Sequence, residues 1–524
     1  MEVKQSDKCI GLGAYATKSY KTGSVILEES PLWTSIPNSK ESLILLRSQF
    51  SGIQPDDPKA SIESPLYDIS FQASDIDSNL WTEARSMLTN AVMLCVNPPP
   101  PSDKTRLLNL YYPKNNPNEY EADLIKLSQK VLDTASKQAS SDSILSKFLK
   151  ESPQDLSAVM LICRCNSFKG GLIYEKISRM NHSCDFNAVI STEASTLGGI
   201  DTCNSDLQIV KAAADINIGD EICISYLGSF TYTGYKMRSE RLIKDKFFVC
   251  DCIRCHRECR AAGTVGMKYD VASGIPCPKC HVRIGRYLDE DDQYDDDGTI
   301  TYCYPVHHQN GIEYHCSKCG IVDIDDSLLE VMHKTIEKAS CHLEEGFTLQ
   351  KGMDIDDDED ERNALLEMTE RLSALSRSVL GNQHWTTNLL LLILLGRKLS
   401  LLHAAMLCGA DDDDRIDTIE IAECIDSLQR IWKYVENLKL RSHAGHLLGN
   451  VTIGVSRVLI GMKDLKSMKY GAEWAMKVND GYFACGFEGE SSAKVVETLI
   501  SAWKRQPSSS EKDDEEQPSK KIKM

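Results

Sequence analysis

The sequence predicts an α+β protein of two or three domains, and three observations predict it. First, "GLGAYATKSY" and "KTGSVILEESPLW" near the N-terminus, and "LQIVKAAADI" and "DEICISYLG" near residue 220, alternate β-forming residues with turn residues. Second, apolar residues recur at helical spacing after about residue 325. Third, 524 residues are too many for one simple hydrophobic core.

The first 230 residues are predicted to form one β-rich domain that is split by an insert. Residues 1–33 read as a glycine turn followed by strands, and residues 155–230 return to short strands. Between them, residues 38–155 are mixed and mainly helical in pattern. We expect a break at "NPPPPSDK" (97–104) and a loop at "SKQASSDS" (136–143). A helix is expected over 238–248.

Cysteines separated widely in the chain predict a first zinc site. "RMNHSCD" (179–185) contains one cysteine, and "CDCIRC" (250–255) contains three more. Together Cys184, Cys250, Cys252 and Cys255 supply the four thiolates of a structural zinc site, and the last three belong to a zinc segment predicted at 231–260. Asn181 and His182 would then lie at the edge of a metal-clamped pocket.

A second zinc module is predicted over residues 261–324. "CPKC" and "CSKC" supply Cys277, Cys280, Cys316 and Cys319, which is the ligand set of a zinc ribbon. The alternative is four unligated, buried cysteines. His307 and His308 between the pairs are either spare ligands or, the interpretation we favour, surface histidines.

The C-terminal part is predicted to be a helical domain over residues 325–505. Segments such as "NALLEMTERLSALSRSVL" and "TIEIAECIDSLQRIWKYVENL" indicate helices paired in a TPR-like array, although no 34-residue consensus is readable. Their apolar stripes are core positions first, and a concave array can also bind peptides. The tail, 506–524, is polar and charge-blocked and is expected to be disordered.

Charge and hydropathy exclude several functions. The net charge of −18 argues against direct nucleic-acid binding and is compatible with a basic protein partner. The sequence contains no run of 18 apolar residues, so no membrane-spanning helix is predicted, and the N-terminus lacks an apolar signal core. Cysteines in CxC and CxxC pairs favour zinc in an intracellular protein of the nucleus, the cytoplasm or both. "PSKKIKM" at the tail is either a solubilising terminus or a nuclear import signal.

Five motifs in a fixed order resemble those of SET-domain protein lysine methyltransferases, in the SET-and-MYND (SMYD-like) branch. They are "GLGAYA", "NSF", "NHSCD", "DINIGDEICISY" and the post-SET "CDCIRC". The ordered set is far more specific than any single member. The resemblance covers residues 9–33 and 160–258, and the zinc module and helical domain extend it to about 505.

The resemblance implies a SET fold, S-adenosylmethionine as cofactor and a protein substrate with an exposed lysine, histones among the candidates. It implies Tyr226 at the methyl-transfer centre and two structural zinc sites, the first of them the post-SET site. The cofactor-binding positions it implies are Gly11, Leu12, Gly13, Ala14, Tyr15, Asn166, Asn181, His182 (through its main chain), Tyr226 and Phe248.

The chain departs from the branch at three places. Lys246 stands where the branch usually has a second channel tyrosine, four residues before the first post-SET cysteine. Leu12 replaces the usual polar or basic residue between the two glycines. A recognisable MYND finger is lacking, because Cys95 is the only cysteine between residues 34 and 155.

Three functions therefore compete. The first is an active lysine methyltransferase, which needs no catalytic metal but does need a channel that favours a neutral amine. The second is a catalytically weak SET fold that binds partners through its helical domain, suggested by Lys246, Leu12 and the missing finger. The third is a zinc-ribbon nucleic-acid adaptor, against which the net charge argues. The substrate, the degree of methylation and the oligomeric state are not encoded in a recognisable pattern.

Overall fold

The structure is a computed structural model that describes residues 1–6, 11–57, 61–62, 65–66, 76–113, 117–168, 171–192, 207–259, 269–280, 301–308, 311–324, 334, 359–407, 418–440 and 501. The chain divides into two units. The first comprises Met1–Lys334, Ser376–Thr387 and Val435–His443, and the second comprises Thr335–Leu375, Asn388–Tyr434 and Ala444–Met524. The tail predicted at 506–524 lies outside the described residues.

Small sheets form the β part of the first unit. Its strands are β1 (Glu2–Gln5), β2 (Leu12–Tyr15), β3 (Val25–Glu29), β4 (Trp33–Thr34), β5 (Leu172–Ile173), β6 (Asn181–His182), β7 (Ala188–Thr192), β8 (Gln208–Ala212) and β9 (Cys223–Ile224). β1 pairs with β2, β4 with β5, and β3-β8-β7 form an antiparallel sheet. β6 and β9 pair in parallel. Ala14, Tyr174, Val210 and Ile222 are fully buried between these sheets, so the predicted strand regions share one core.

The described residues of the insert form six helices, which confirms its predicted helical character. They are α1 (Lys40–Arg47), α2 (Trp81–Val96), α3 (Pro101–Leu108), α4 (Glu119–Gln138), α5 (Ile144–Glu151) and α6 (Pro153–Asn166). α2 and α6 bury Met87, Leu88, Val159 and Ile162 in one hydrophobic cluster. Burying an aliphatic side chain of this size contributes about 1.5–3 kcal/mol, which is why the insert can hold its own core.

The expected break at 97–104 is present, because α2 ends at Val96 and α3 begins only at Pro101. Pro101 can start the helix because it lacks the N–H that a first helical turn leaves unpaired anyway. One local prediction in this region is wrong. Asn166 does not lie in a strand-rich segment but ends α6. The residues before it are nearly all buried, so they carry little of the amphipathic spacing by which a helix is recognised.

A cluster of buried charges fixes the two helices that follow the β part. α7 (Tyr235–Lys246) and α8 (Ile253–Cys259) bury Arg238 and Arg254, and both guanidinium groups contact the carboxylate of Glu258. Arg254 Nε lies 2.8 Å from Glu258 Oε1. Both arginines also donate to the carbonyl of Thr233. One carboxylate thus compensates two cations that have left water.

The zinc-ribbon region folds as a small antiparallel sheet in the order β10-β11-β12-β13. The strands are β10 (Ile275–Pro276), β11 (Tyr302–His308), β12 (Gly311–Cys316) and β13 (Gly320–Val322). Cys303 pairs in register with Cys316, and Cys316 pairs with Gly320. The turns that follow β10 and β12 carry the CxxC pairs, and the register places both turns beside Cys303.

Helices supply the described part of the second unit. α9 (Glu359–Leu380), α10 (Trp385–Leu407) and α11 (Thr418–Asn437) lie wholly or partly in it. Lys398 of α10 pairs with Glu370 of α9 at 2.8 Å and with Glu423 of α11 at 3.1 Å. The helical character predicted for this region is confirmed there, and the TPR-like array stays a prediction. Within the described ranges, none of the helices combines the length and apolar character needed to cross a bilayer.

The shared carboxylate predicts a large loss of stability on its removal. Glu258→Ala leaves two buried guanidinium groups without their counter-charge and should lower the free energy of unfolding by about 3–5 kcal/mol. Urea denaturation measures this change. Glu240→Ala, which removes an exposed carboxylate of α7, is the matched control and should have no measurable effect. Equal stability of the two variants would contradict the assigned role of Glu258.

Candidate functional site

The parallel pairing of β6 with β9 brings the predicted site residues together. Asn181 lies opposite Cys223 and His182 opposite Ile224, so Tyr226 follows directly beyond the paired segment. Asn187 fixes this arrangement, because its amide donates to the carbonyl of Glu221 and its oxygen accepts from the Cys223 N–H. Two segments that are 40 residues apart in sequence at Asn181 and Glu221 therefore become neighbours.

His182 connects the first cysteine cluster to Tyr226. Its Nδ1 accepts a hydrogen bond from the backbone N–H of Tyr226 at 3.0 Å. A neutral imidazole that accepts at Nδ1 carries its proton at Nε2. Nε2 lies 3.2 Å from Cys184 Sγ and can donate to it. The His182 ring thus contacts both the sulfur of Cys184 and the backbone of the predicted catalytic tyrosine.

The first cysteine cluster is assembled as the spacing predicts. The Sγ atoms of Cys184, Cys250, Cys252 and Cys255 lie within 4.8 Å of one another. Cys184 Sγ is 3.9 Å from Cys250 Sγ and 3.6 Å from Cys255 Sγ. In a tetrahedral site with Zn–S of about 2.3 Å, neighbouring sulfurs are about 3.8 Å apart, so the cluster fits zinc.

The thiols of this cluster titrate as one set. Hydrogen bonds from Cys250, Cys252 and Cys255 hold the pKa of Cys184 far below its ordinary value. The negative sulfur of Cys184 in turn raises the pKa of Cys250 and of Cys255. A divalent cation removes this conflict, because it stabilises all four groups as thiolates.

The second cluster joins the two CxxC pairs. Cys280 Sγ lies 3.7 Å from Cys316 Sγ, and Cys277 Sγ lies 3.9 Å from Cys319 Sγ. Cys303, a nearby fifth cysteine, is buried, and its Sγ lies 3.6 Å from the carbonyl of Ile275. Burial raises the pKa of Cys303 to about 12, so it stays a thiol outside the ligand set.

The prediction that the histidines of this module lie at the surface is wrong for His307. Its side chain is only 11% exposed, and Nε2 lies 3.6 Å from the buried Asp270 carboxylate. The ring also contacts Tyr235 of α7. A single histidine in a short strand gives no sequence signal for such a tertiary contact. The side chain of His308 lies outside the described residues.

The predicted cofactor turn at Gly11–Tyr15 is closely packed at Gly13. A Cβ on Gly13 would lie 2.5 Å from Glu221 Oε1 and 3.0 Å from the Asn181 amide nitrogen, so only glycine fits. Gly11 has φ of +118°, which glycine alone adopts readily. Leu12 is exposed, whereas Ala14 and Tyr15 are buried.

Glu221 is a site residue that the motifs did not single out. Its Oε1 accepts from Asn181 Nδ2 at 2.7 Å and from the Ser6 hydroxyl at 3.1 Å. Asn181 Nδ2 also donates to the carbonyl of Leu12 at 3.3 Å. The buried carboxylate therefore joins the glycine turn to Asn181. An acidic residue after the "IGD" turn at a strand entry was the available signal.

Asn166 is held by the helical insert. Its Nδ2 donates to the carbonyls of Tyr111 and Ile162, both at 2.8 Å. These hydrogen bonds do not join it to Asn181 or Tyr226. The preceding residue, Cys165, is instead connected to the surroundings of Tyr226, because its carbonyl accepts a hydrogen bond from Lys246 Nζ at 3.2 Å.

Three side chains surround Tyr226. The Phe248 ring meets it edge-on at 6.3 Å between centroids, and the His182 ring lies at 5.4 Å. Lys246 Nζ lies 5.3 Å from the Tyr226 ring centroid. Between Lys246 and Phe248, Phe247 ends α7 in the left-handed conformation with φ of +64°. This strained turn lets residues on both sides of Phe247 face the same tyrosine.

A cavity of about 350 Å³ opens beside Tyr226. The first part of its wall is the segment from Tyr226 to Gly228 with Phe230, and the second is one face of α7. The lining residues are Tyr226, Leu227, Gly228, Phe230, Arg241, Leu242, Asp245 and Lys246. It combines apolar side chains with one carboxylate and two cationic side chains, and it is large enough for an extended side chain.

Comparison with known proteins matches residues 11–227 to the SET domain family model. The N-lysine methyltransferase SMYD2 of Mus musculus is 30% identical over 149 residues, 26% of this chain and 31% of the relative. The histone-lysine N-methyltransferase SMYD3 of Homo sapiens is 32% identical over 104 residues, which are 18% of this chain and 21% of the relative. ASHR2 of Arabidopsis thaliana, also a histone-lysine N-methyltransferase, is 35% identical over 86 residues, which are 16% of this chain and 20% of the relative. The chain thus spans less than a third of the length of these relatives.

The two sulfur clusters predict two zinc ions per chain, one in each cluster. Cys252→Ser and Cys319→Ser should each remove one ion, because each takes away one of four ligands. Inductively coupled plasma mass spectrometry of the purified protein counts the metal. Cys303→Ser is the matched control and should keep both ions. Loss of zinc in the Cys303 variant, or no loss in the other two, would contradict the ligand assignment.

Proposed function

We propose that this protein, a SMYD-like member of the SET-domain proteins, transfers methyl groups from S-adenosylmethionine to lysine side chains of other proteins. The single observation that carries the proposal is the junction of Asn181, His182 and Tyr226 at the pairing of β6 with β9. The two relatives SMYD2 and SMYD3, both named as lysine methyltransferases, support the same reaction class.

The glycine turn and Asn181 fit a cofactor-binding role. The missing side chain of Gly13 leaves room for the Asn181–Glu221 hydrogen bond, which holds an amide and a carboxylate beside the turn. We assign cofactor contacts to the backbone of Gly11–Tyr15, to Asn181, to the His182 main chain, to Asn166 and to Phe248. Bound S-adenosylmethionine would supply an electrophilic methyl group on a sulfonium.

Tyr226 is suited to orient an incoming amine. Its hydroxyl donates to the Met180 carbonyl at 2.6 Å, which fixes the position of the phenol oxygen. A lysine amine with a pKa near 10.4 is mostly charged at neutral pH and must lose a proton before it can attack. The apolar part of the cavity, formed by Leu227, Phe230 and Leu242, favours the neutral form.

The metal in this proposal is structural. The first cluster joins Cys184, next to Asn181 and His182, to the segment that carries Phe248. Zinc there would hold one wall of the site in place, and its removal would disorder that wall. The second cluster would stabilise the ribbon sheet in the same way.

A basic protein is the substrate class that the charge supports. The net charge of −18 attracts lysine-rich partners and repels nucleic acid. Histones are therefore suitable first acceptors, and a nuclear location would follow if they are the substrate. Cytoplasmic protein lysines are the other source of acceptors.

A second candidate function is a catalytically weak scaffold that binds proteins through its helical domain. The observation that favours it is the Lys246 amine 5.3 Å from the Tyr226 ring centroid, where a bulky or charged side chain can obstruct the channel. Turnover separates the two functions, because both allow cofactor binding.

Transfer of radiolabelled methyl from S-adenosylmethionine to protein tests the proposal. Core histones and a methylation-depleted cell extract serve as acceptors for the zinc-loaded protein. Tyr226→Phe should lower the rate by about tenfold or more, because the phenol oxygen no longer orients the amine. Gly13→Ala should abolish cofactor binding, because its Cβ displaces the Asn181–Glu221 pair.

Tyr304→Phe is the matched control for the lost hydroxyl. It removes a hydrogen bond to Gln383 outside the site and should keep the full rate. No labelled acceptor from a folded, cofactor-binding protein would reject the enzyme and favour the scaffold. Equal rates in the Tyr226 and Tyr304 variants would reject the role of Tyr226.

A further inference from the structure

Lys246 places an amine beside the proposed methyl-transfer centre. Its Nζ lies 5.3 Å from the Tyr226 ring centroid and donates to the Cys165 carbonyl at 3.2 Å. Cys165 directly precedes Asn166. The amine therefore lies between two residues that the proposed function assigns to the cofactor and the reacting methyl group.

The structure holds this amine in place from two sides. Cys165 belongs to the last turn of α6, where the exposed carbonyls and the helix dipole favour a cation. The Tyr226 ring supplies a second, cation–π contact. These contacts orient Nζ without neutralising it, since neither partner carries a negative charge.

The charged groups around Lys246 do not compensate it. Asp245 is its sequence neighbour, but the Asp245 carboxylate lies 3.6 Å from Arg241 Nε. Arg164 adds a second cation nearby, whose Nε is paired with the Glu83 carboxylate and whose guanidinium also donates to the Asp245 carbonyl. Cys165 stays a neutral thiol, because burial raises its pKa to about 11. Among the described residues, no carboxylate forms an ion pair with Lys246.

Burial reinforces this imbalance. It lowers the pKa of Lys246 from its ordinary value, and the nearby Arg164 charge lowers it further. The Asp245 charge opposes these effects, but the net direction is downward. A further positive charge at the centre would therefore favour release of the Lys246 proton.

We propose that Lys246 makes the site discriminate against the positively charged cofactor in favour of its neutral product. S-adenosylmethionine carries a sulfonium, whereas S-adenosylhomocysteine carries an uncharged thioether and is otherwise the same ligand. Protonated Lys246 repels the first and not the second. Binding of S-adenosylmethionine therefore displaces a proton from Lys246 to solvent, and the product competes unusually well. This inference rests on the proposed function and deepens it.

The sign of the pH dependence follows directly. Below its pKa, Lys246 is charged and weakens binding of the sulfonium. As pH rises through that lowered pKa, the amine becomes neutral and binding of S-adenosylmethionine strengthens relative to S-adenosylhomocysteine. The α-amino and carboxyl groups occur in both ligands, but the sulfonium lowers the α-amino pKa of S-adenosylmethionine. The pH dependence of the same affinity ratio in Lys246→Met therefore serves as the reference for the wild-type protein.

Isothermal titration calorimetry with both ligands tests the proposal on the full-length, zinc-loaded protein. Lys246→Met removes the charge and should raise the affinity for S-adenosylmethionine, relative to S-adenosylhomocysteine, by about tenfold, which corresponds to one pKa unit of coupling. Lys246→Arg keeps the charge and should keep the wild-type ratio. Lys244→Met, an exposed position of the same helix, is the matched control and should also keep it.

The wild-type protein provides a test without any substitution. Its affinity for S-adenosylmethionine, relative to S-adenosylhomocysteine, should rise with pH. Calorimetry repeated in buffers of different ionisation enthalpy should show that binding of S-adenosylmethionine releases protons. A ratio unchanged in a folded Lys246→Met variant, or a pH-independent wild-type ratio, would overturn the role of Lys246. If neither ligand binds the wild-type protein, the proposed function fails and the inference fails with it. Binding of both ligands without turnover would reject the enzyme alone and leave the ratios to decide on Lys246.

Discussion

The site depends on a four-sulfur cluster that joins parts of the chain 66 residues apart at Cys184 and Cys250. Bringing such distant segments together costs chain entropy, and a metal–thiolate site is strong enough to offset it. The effect extends beyond the sulfurs, because His182 contacts Cys184 with one ring nitrogen and accepts from the Tyr226 backbone with the other. A ligand-to-histidine contact of this kind fixes the ring orientation. The sulfur cluster and the proposed catalytic tyrosine are thus one structural unit.

Several features of this part of the chain are locally destabilising. Phe247 adopts a left-handed conformation, two arginines are buried on one carboxylate, and Lys246 has no ion-pair partner among the described residues. The arginine pair holds α7 and α8, while Phe247 and Lys246 belong to the segment beside Tyr226. Strain and uncompensated charge beside a predicted catalytic residue are typical of functional sites, where position matters more than local stability.

The features that the sequence predicted well have a local chemical signature. Cysteine pairs reveal zinc ligands because thiolates at fixed spacing serve few other purposes, and both clusters are assembled as predicted. Alternating and helical apolar patterns located the strands and most helices. The failures concern tertiary burial. Asn166 ends a helix that is buried on nearly every side, His307 faces a buried carboxylate, and Glu221 acquires its role only by pairing with Asn181. Burial on all sides and a contact between residues 40 positions apart do not produce a periodic pattern of apolar residues, so the sequence alone does not reveal them.

The central claim is that the first sulfur cluster builds the cofactor site, and binding of S-adenosylhomocysteine to two single-ligand variants tests it most directly. Cys252→Ser breaks the cluster joined to His182, whereas Cys319→Ser breaks the ribbon cluster. Calorimetry on both folded variants should show binding lost, or weakened by more than about tenfold, only for Cys252→Ser. Wild-type affinity in the Cys252 variant, or an equal loss in both, would contradict the claim that this cluster holds the site together.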